Sequence, residues 1–141
     1  MGIYNKKQGS KRIFLGGTCN ESEWRDILIP LLEESGYDYF NPVVPDWNEE
    51  CYQRELKERK TCDICLYVIT PKMTGVYSIA EVVDDSNKRP DKAILCVLTE
   101  DDDKSFSEGQ LKSLKKVAEM VKLNGAKSLV TDNVENILQL L

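Results

Sequence analysis

Two short runs constrain what this chain can fold into more than any other feature. Ile64-Cys-Leu-Tyr-Val-Ile-Thr70 and Ala93-Ile-Leu-Cys-Val-Leu98 are apolar at almost every position, without alternation. A strand with one wet face alternates polar and apolar residues. A strand apolar on both faces must be covered on both, as the central strands of a parallel sheet are. Other β-like runs flank them: Arg12-Ile-Phe-Leu15, which ends in Gly16-Gly17, then Tyr37 to Phe40, and Ser128 to Val130 as an edge. Between them lie helical patterns. Trp24, Ile27, Leu28, Leu31 and Leu32 make a stripe over 22–35 that Gly36 stops, and Pro30 inside it is expected to kink the helix or delay its regular part. Trp47 to Lys60 is mostly charged, with Cys51, Leu56 and Trp47 as inward candidates. Tyr77 to Asp85 reads as a helix after a loop containing Gly75. Gln110 to Leu123 and Val134 to Leu141 carry further amphipathic patterns. The acidic run Glu100 to Asp103 reads as a solvated loop.

This alternation predicts an α/β fold: a single-domain three-layer sandwich around a five-stranded parallel sheet, in the flavodoxin-like order 2-1-3-4-5. Residues 1–10 read as a flexible polar extension and 11–141 as the domain. In such a sheet ligands bind beyond the carboxyl ends of the strands, near the switch point between strands 1 and 3. The first loop there carries Gly16, Gly17, Thr18, Cys19 and Asn20. The second carries Asn41, Asp46 and Trp47. The third, with the helix it opens, carries Thr70, Met73, Gly75, Tyr77, Ser78 and Glu81. Asp63 precedes its strand and belongs at the opposite edge.

Composition excludes several classes of function. Over 141 residues, 19 Lys and Arg against 24 Asp and Glu give a formal charge of −5, wrong for gripping a nucleic-acid polymer or an anionic membrane. The apolar runs are too short to span a bilayer. No signal-like segment opens the chain, and Lys6 and Lys7 stand where a myristoylation motif wants a hydroxyl. Five cysteines without a regular framework point to a reduced, cytoplasmic protein. Histidine is absent, so acid–base chemistry falls to carboxylates, thiols, lysines or tyrosines, and no metal or cofactor is expected.

The individual motifs leave alternatives open. Gly16-Gly17-Thr18 allows close backbone approach to a ligand or simply makes a tight turn. It lacks GxGxxG spacing and a Walker lysine, so a phosphate cradle is unsupported. Cys62-Asp-Ile-Cys65 runs into a strand instead of opening a helix, unlike a redox CxxC. Glu81 lies in the first turns of a helix, where the dipole favours its ionised form, among Ile79, Ala80, Val82 and Val83. The residues alone allow a structural cap, an ion pair or a catalytic acid there.

Taken in order, Phe14-Leu-Gly-Gly-Thr18, Trp24-Arg25, Phe40-Asn-Pro42 with Asp46-Trp47, Asp63 before an apolar strand, and Tyr77-Ser-Ile-Ala-Glu81 resemble the nucleoside 2-deoxyribosyltransferase-like family, over residues 11 to 98. The resemblance implies cleavage of the N-glycosidic bond of a (deoxy)nucleoside or nucleotide through a covalent glycosyl-enzyme, with Glu81 in the nucleophile's place and Asp46 as the acid near the base. It implies that the backbone at Gly16 and Gly17 floors the sugar pocket, that Asn41 and Ser78 orient the sugar or the nucleophile, that Thr18, Trp47 and Gly75 are further substrate-binding positions, and that Tyr77 stacks on a base or fills the pocket. It also implies a homo-oligomer. The family's Asp-x-Gly-Thr-x-x-Glu run is altered here: Gly75 replaces the aspartate, Tyr77 the glycine and Ser78 the threonine. That change keeps open a nucleotide-binding or signalling module without turnover. NAD cleavage of the TIR-like kind is a third alternative.

Overall fold

The computed structural model describes residues 10–19 and 22–141. The expected N-terminal extension, apart from Ser10, and Asn20 of the first loop lie outside the described residues. The elements run β1 (Arg12–Gly17), α1 (Trp24–Glu34), β2 (Asp38–Phe40), α2 (Glu49–Thr61), β3 (Ile64–Ile69), α3 (Tyr77–Lys88), β4 (Ala93–Leu98), β5 (Glu100–Asp101), β6 (Lys104–Ser105), α4 (Glu108–Leu123) and β7 (Lys127–Thr131), closed by a 3-10 helix (Val134–Leu140). Five strands form one sheet in the order β2-β1-β3-β4-β7, and every pairing is parallel. With the small β5–β6 hairpin set aside, this is the flavodoxin-like order 2-1-3-4-5.

The apolar runs fold as their composition demands. Every residue of β3 and of β4 is buried. Their alternate side chains enter two cores. Ile13, Leu15, Leu66, Val68 and Cys96 pack with Trp24, Leu28 and Leu32 of α1 and Ile137 of the last helix. Phe14, Tyr67, Ile69, Leu95 and Val97 pack with Val82 of α3 and Leu114, Ala118 and Val121 of α4. Period-2 strands thus feed both layers of helices from one sheet. α4 starts at a capping box, in which the Ser107 hydroxyl accepts from Gln110 N and the Gln110 side chain accepts from Ser107 N.

α2 departs from this pattern. Its one buried residue is Arg59, and it is held by polar contacts rather than an apolar stripe. Glu58 receives the Arg12 guanidinium of β1 at 3.0 Å, and Arg59 reaches across to α3. The expected inward residues Cys51 and Leu56 are only half-buried, and Trp47 precedes the helix and is exposed.

Three other expectations change. α1 runs unbroken through Pro30, and Ile27 of its stripe is exposed because Arg25, not Ile27, fills the inward position. The acidic run forms the β5–β6 hairpin: Asp101 is buried, accepting from the Ser22 hydroxyl at 2.6 Å and facing Lys72 at 3.8 Å, so partners remove it from solvent. The C-terminal pattern closes as a 3-10 helix, burying Val134 and Ile137. Asp63 takes the Arg12 amide at 2.8 Å at the amino ends of the strands, opposite the expected ligand edge.

Gly17 marks the close of β1, with a φ of +115°, and a Cβ there would stand 2.1 Å from the Val68 carbonyl oxygen. Neither strain has a flexible side chain to absorb it. Gly17→Ala is expected to lower stability by about 2 kcal/mol or more. A urea titration would show a lower midpoint at an unchanged slope.

Candidate active site

The loops after β1, β2 and β3 enclose a cavity of about 480 Å³ at the carboxyl edge of the sheet. Its floor is the end of β1. The Thr18 amide donates to Val68 O at 2.9 Å, and the Thr18 hydroxyl accepts from Thr70 N at 3.0 Å. From the other side α1 gathers the same loop. Trp24 Nε1 and Arg25 Nη1 both donate to Thr18 O at 2.7 Å, and Arg25 Nε donates to Leu15 O at 3.0 Å. Gly16 lies flat on Tyr67, where a Cβ would come within 2.7 Å of the ring. The two glycines are therefore required by close packing on β3, which leaves backbone as the cavity floor.

Of the residues singled out in the sequence, Gly16, Gly17, Thr18, Trp47, Gly75, Tyr77, Ser78 and Glu81 all line this cavity. Asn41 and Asp46 do not. Asn41 Oδ1 accepts from Val43 N at 3.1 Å, which shapes the second loop. Its side faces a larger neighbouring cavity of about 660 Å³ along β2. Asp46 is exposed, and its backbone carbonyl faces the Cys51 thiol. The larger cavity holds neither Glu81 nor the glycine loop.

Sequence reasoning passed over three residues on α2 and one on α1. Tyr52, Glu55 and Arg25 line the cavity, and Arg59 stands behind its wall. Tyr52, Glu55 and Arg59 are spaced i, i+3, i+7, a single helix face. That spacing was the available signal, but in a charged helix it looks like a solvated surface.

Glu81 reaches the cavity from the second turn of α3. Its Oε2 lies 3.4 Å from Arg59 Nη1, and its side chain is mostly buried. Arg59 spends its hydrogen bonds elsewhere, on Asp85 Oδ1 at 3.0 Å, Asp85 Oδ2 at 3.4 Å and Asp84 Oδ2 at 3.3 Å. Asp85 is fully buried and also receives the Tyr67 hydroxyl and Arg89. Burial pushes the Glu81 carboxyl up to about 7 against the pull of Arg59, with Glu55, Asp85 and Asp84 adding to the rise. The expectation that the helix dipole keeps Glu81 ionised is thereby corrected: desolvation outweighs it. Glu55 is also pushed up, by burial first, with Trp47 Nε1 donating to its Oε1 at 3.0 Å and Arg25 opposing the rise. Two carboxyls of raised affinity for protons thus share one cavity.

The mouth is aromatic. Trp47 packs edge-on to Tyr52 with ring centroids 5.7 Å apart, and Tyr77, whose hydroxyl is pushed up first by Tyr52, lines the same opening. Val43, Val44, Trp47, Val76 and Tyr77 are all exposed around it. Among the described residues, no group of three or more acidic or cysteine side chains is placed to hold a metal ion, and no helix is long and apolar enough to cross a membrane.

The model of the family described as nucleoside 2-deoxyribosyltransferase like matches residues 10–100, more than half of the chain, and the chain belongs to that family. The matched segment contains β1 through β4, hence the whole cavity. No curated protein matches the chain.

The cysteines divide by burial. Cys19 is exposed at the cavity, Cys51 is half-buried, and Cys62, Cys65 and Cys96 are buried. Burial pushes the Cys65 and Cys96 thiols up to about 12 and Cys62 higher, the reverse of a redox-active pair. A thiol-reactive chromophore added to the native protein is expected to label Cys19 first. Cys62, Cys65 and Cys96 should react only after denaturation, read by mass spectrometry of the labelled peptides.

Proposed function

We propose that this chain cleaves the N-glycosidic bond of a (deoxy)nucleoside or nucleotide through a covalent glycosyl-enzyme on Glu81, and passes the sugar to water or to a second base. The observation that carries this reading is that Glu81, next to the Arg59 charge, lines one cavity with a second carboxyl, Glu55, that burial also pushes up. Family membership supports N-glycosidic chemistry as the class.

In the first step a Glu81 oxygen attacks C1′. The C1′–N bond breaks, its electron pair leaves with the base, and Glu55 delivers a proton to the base nitrogen. In the second, water or an acceptor base attacks C1′, the ester to Glu81 breaks, and Glu55 takes the proton back. Two displacements retain configuration. We assign the leaving-group acid to Glu55, which lines the cavity, ahead of Asp46, which is exposed at the loop's outer side. Trp47 and Tyr77 offer ring faces to the base. Ser78 and the backbone at Gly16–Thr18 offer polar groups to the sugar. Asn41 acts indirectly, through the loop it shapes. The exposed apolar rim fits coverage by a second copy of the chain, in keeping with a homo-oligomer.

The two carboxyls titrate as a pair. Below both ionisations the nucleophile is neutral, and above both no proton remains for the base. Between them the pair holds one proton, and the reactive arrangement has it on Glu55. A base seated over Glu55 excludes water and favours that arrangement. The kcat/KM for base release is therefore expected to be bell-shaped, with its alkaline limb falling near pH 7, where Glu81 holds its last proton in the free protein. A profile flat from pH 5 to 9 would contradict the assignment.

Gly75 favours a second reading, a nucleotide-binding module without turnover. Nothing stands within 4 Å of where its Cβ would be, so the family motif's aspartate has no substitute at that point. One panel separates the two: deoxynucleosides, nucleosides, nucleotides and NAD, with and without an acceptor base, read by chromatography of free base and by thermal shift. Catalysis predicts base release that Glu81→Ala lowers on the order of 10³-fold, and that Glu55→Gln loses at neutral pH and partly regains toward pH 5, where solvent protonates the base. A ligand-raised melting temperature with no base release from any substrate would select the binding module.

A further inference from the structure

We infer that Arg59 is a positioning residue for Glu81, favouring its carboxylate form and holding it toward the cavity from an anchor on the buried Asp85. The inference rests on the reading of Glu81 as the nucleophile, and adds a residue that does not line the cavity at all.

The geometry separates two tasks within one guanidinium. Nε and Nη2 donate to Asp85 and Asp84, which fixes the plane of the group. Nη1 stands 3.4 Å from Glu81 Oε2, and among the described residues it makes no hydrogen bond. A charge at that range favours the ionised form. An oxygen without a strong hydrogen bond from Arg59 keeps its lone pairs for attack, whereas a bidentate pair would engage both oxygens. Arg59 can be held this way because Asp85 is itself fixed from three sides: by Arg59 of α2, by Tyr67 of β3 and by Arg89 at the end of α3. Asp85 has no solvent exposure, and Arg59 is almost fully buried, so the anchor is rigid and dry.

The groups that bear on Glu81 come from every element around it. Arg59 and Glu55 face it from α2, Asp84 and Asp85 from its own helix, and Tyr77 from the cavity mouth. Arg59 is the cation that opposes the carboxylates. Without it, Glu81 would keep its proton further into the alkaline range and lose its fixed neighbour.

The test reads Glu81 directly, in the full-length protein without substrate. Carboxyl carbons of glutamate are labelled with carbon-13, Glu81 is assigned by the signal missing from Glu81→Gln, and its titration is followed by NMR. Arg59→Met is expected to raise the Glu81 midpoint by about one pH unit or more, and Arg59→Lys to return it to within about half a unit of the parent. Should Arg59→Met fail to fold, Arg59→Gln removes the charge while retaining a hydrogen-bond donor toward Asp85. A Glu81 midpoint unchanged in a folded neutral variant overturns the inference. So does a shift in Arg59→Lys as large as in the neutral variant. In kinetics, the neutral variants are expected to lower kcat more than they raise KM, and to move the alkaline limb of the base-release profile upward. The outcomes of the two proposals stay distinct. A parent protein that releases no base, with the Glu81 midpoint still raised in the neutral Arg59 variant, defeats the catalytic reading and leaves the Arg59–Glu81 coupling standing.

Discussion

The charge of Asp85 organises this structure. The side chain has no contact with solvent, and a carboxylate in that position is tolerated only because Arg59, Arg89 and Tyr67 converge on it. Each partner comes from a different part of the chain. The result is a polar clasp that ties α2 and the end of α3 to the central strand β3. α2 needs it, since it lacks an apolar face of its own and buries only Arg59. A buried ion cluster of this kind is weak evidence for stability, yet removing Asp85 strips the buried Arg59 and Tyr67 of their shared acceptor, at a cost of several kcal/mol. The clasp therefore fixes geometry more than it adds stability, and what it fixes is the wall that carries Glu55 and Glu81.

Tyr67 links that wall to the floor. Its hydroxyl holds Asp85, and its ring is the surface on which Gly16 lies. One residue of β3 thus sets both the height of the glycine loop and the position of the acidic network. On the opposite layer, Trp24 and Arg25 pin the same loop by its carbonyls. A loop held from both faces of the sheet is a rigid platform at the floor of the cavity.

Glu81 shows the cost of this arrangement. Taking a carboxyl out of water raises its proton affinity to the neutral range, and nearby acids raise it further. A structural carboxylate is better served by a bidentate partner or by solvent. Here the arginine that could have sealed it gives its hydrogen bonds to Asp84 and Asp85, and among the described residues Glu81 keeps a single ionic contact at the edge of a cavity. A carboxyl held half-satisfied, beside a second one lined up on the same wall, is the pattern of acid–base and nucleophilic pairs.

The doubly apolar runs at 64–70 and 93–98 called for strands covered on both faces, because neither side of such a strand tolerates water, and their alternation with helical patterns pointed to a parallel sheet. The glycines after the first strand and the ordered pieces ending at Glu81 located the cavity edge, since strand ends and loop order are properties of the chain itself. Other features were illegible. Arg59 and Glu55 lie in a helix whose composition looks solvated; which of its charges go inside depends on Asp85 arriving from another helix, and no local pattern encodes that. The same holds for Asp101, acidic and yet buried by Ser22 and Lys72, and for Asn41 and Asp46, which stand outside the cavity lining. The sense of the Glu81 shift was hidden for the same reason. The dipole of its own helix is local and can be read along the chain, whereas desolvation and the charges of neighbours exist only once the elements have packed.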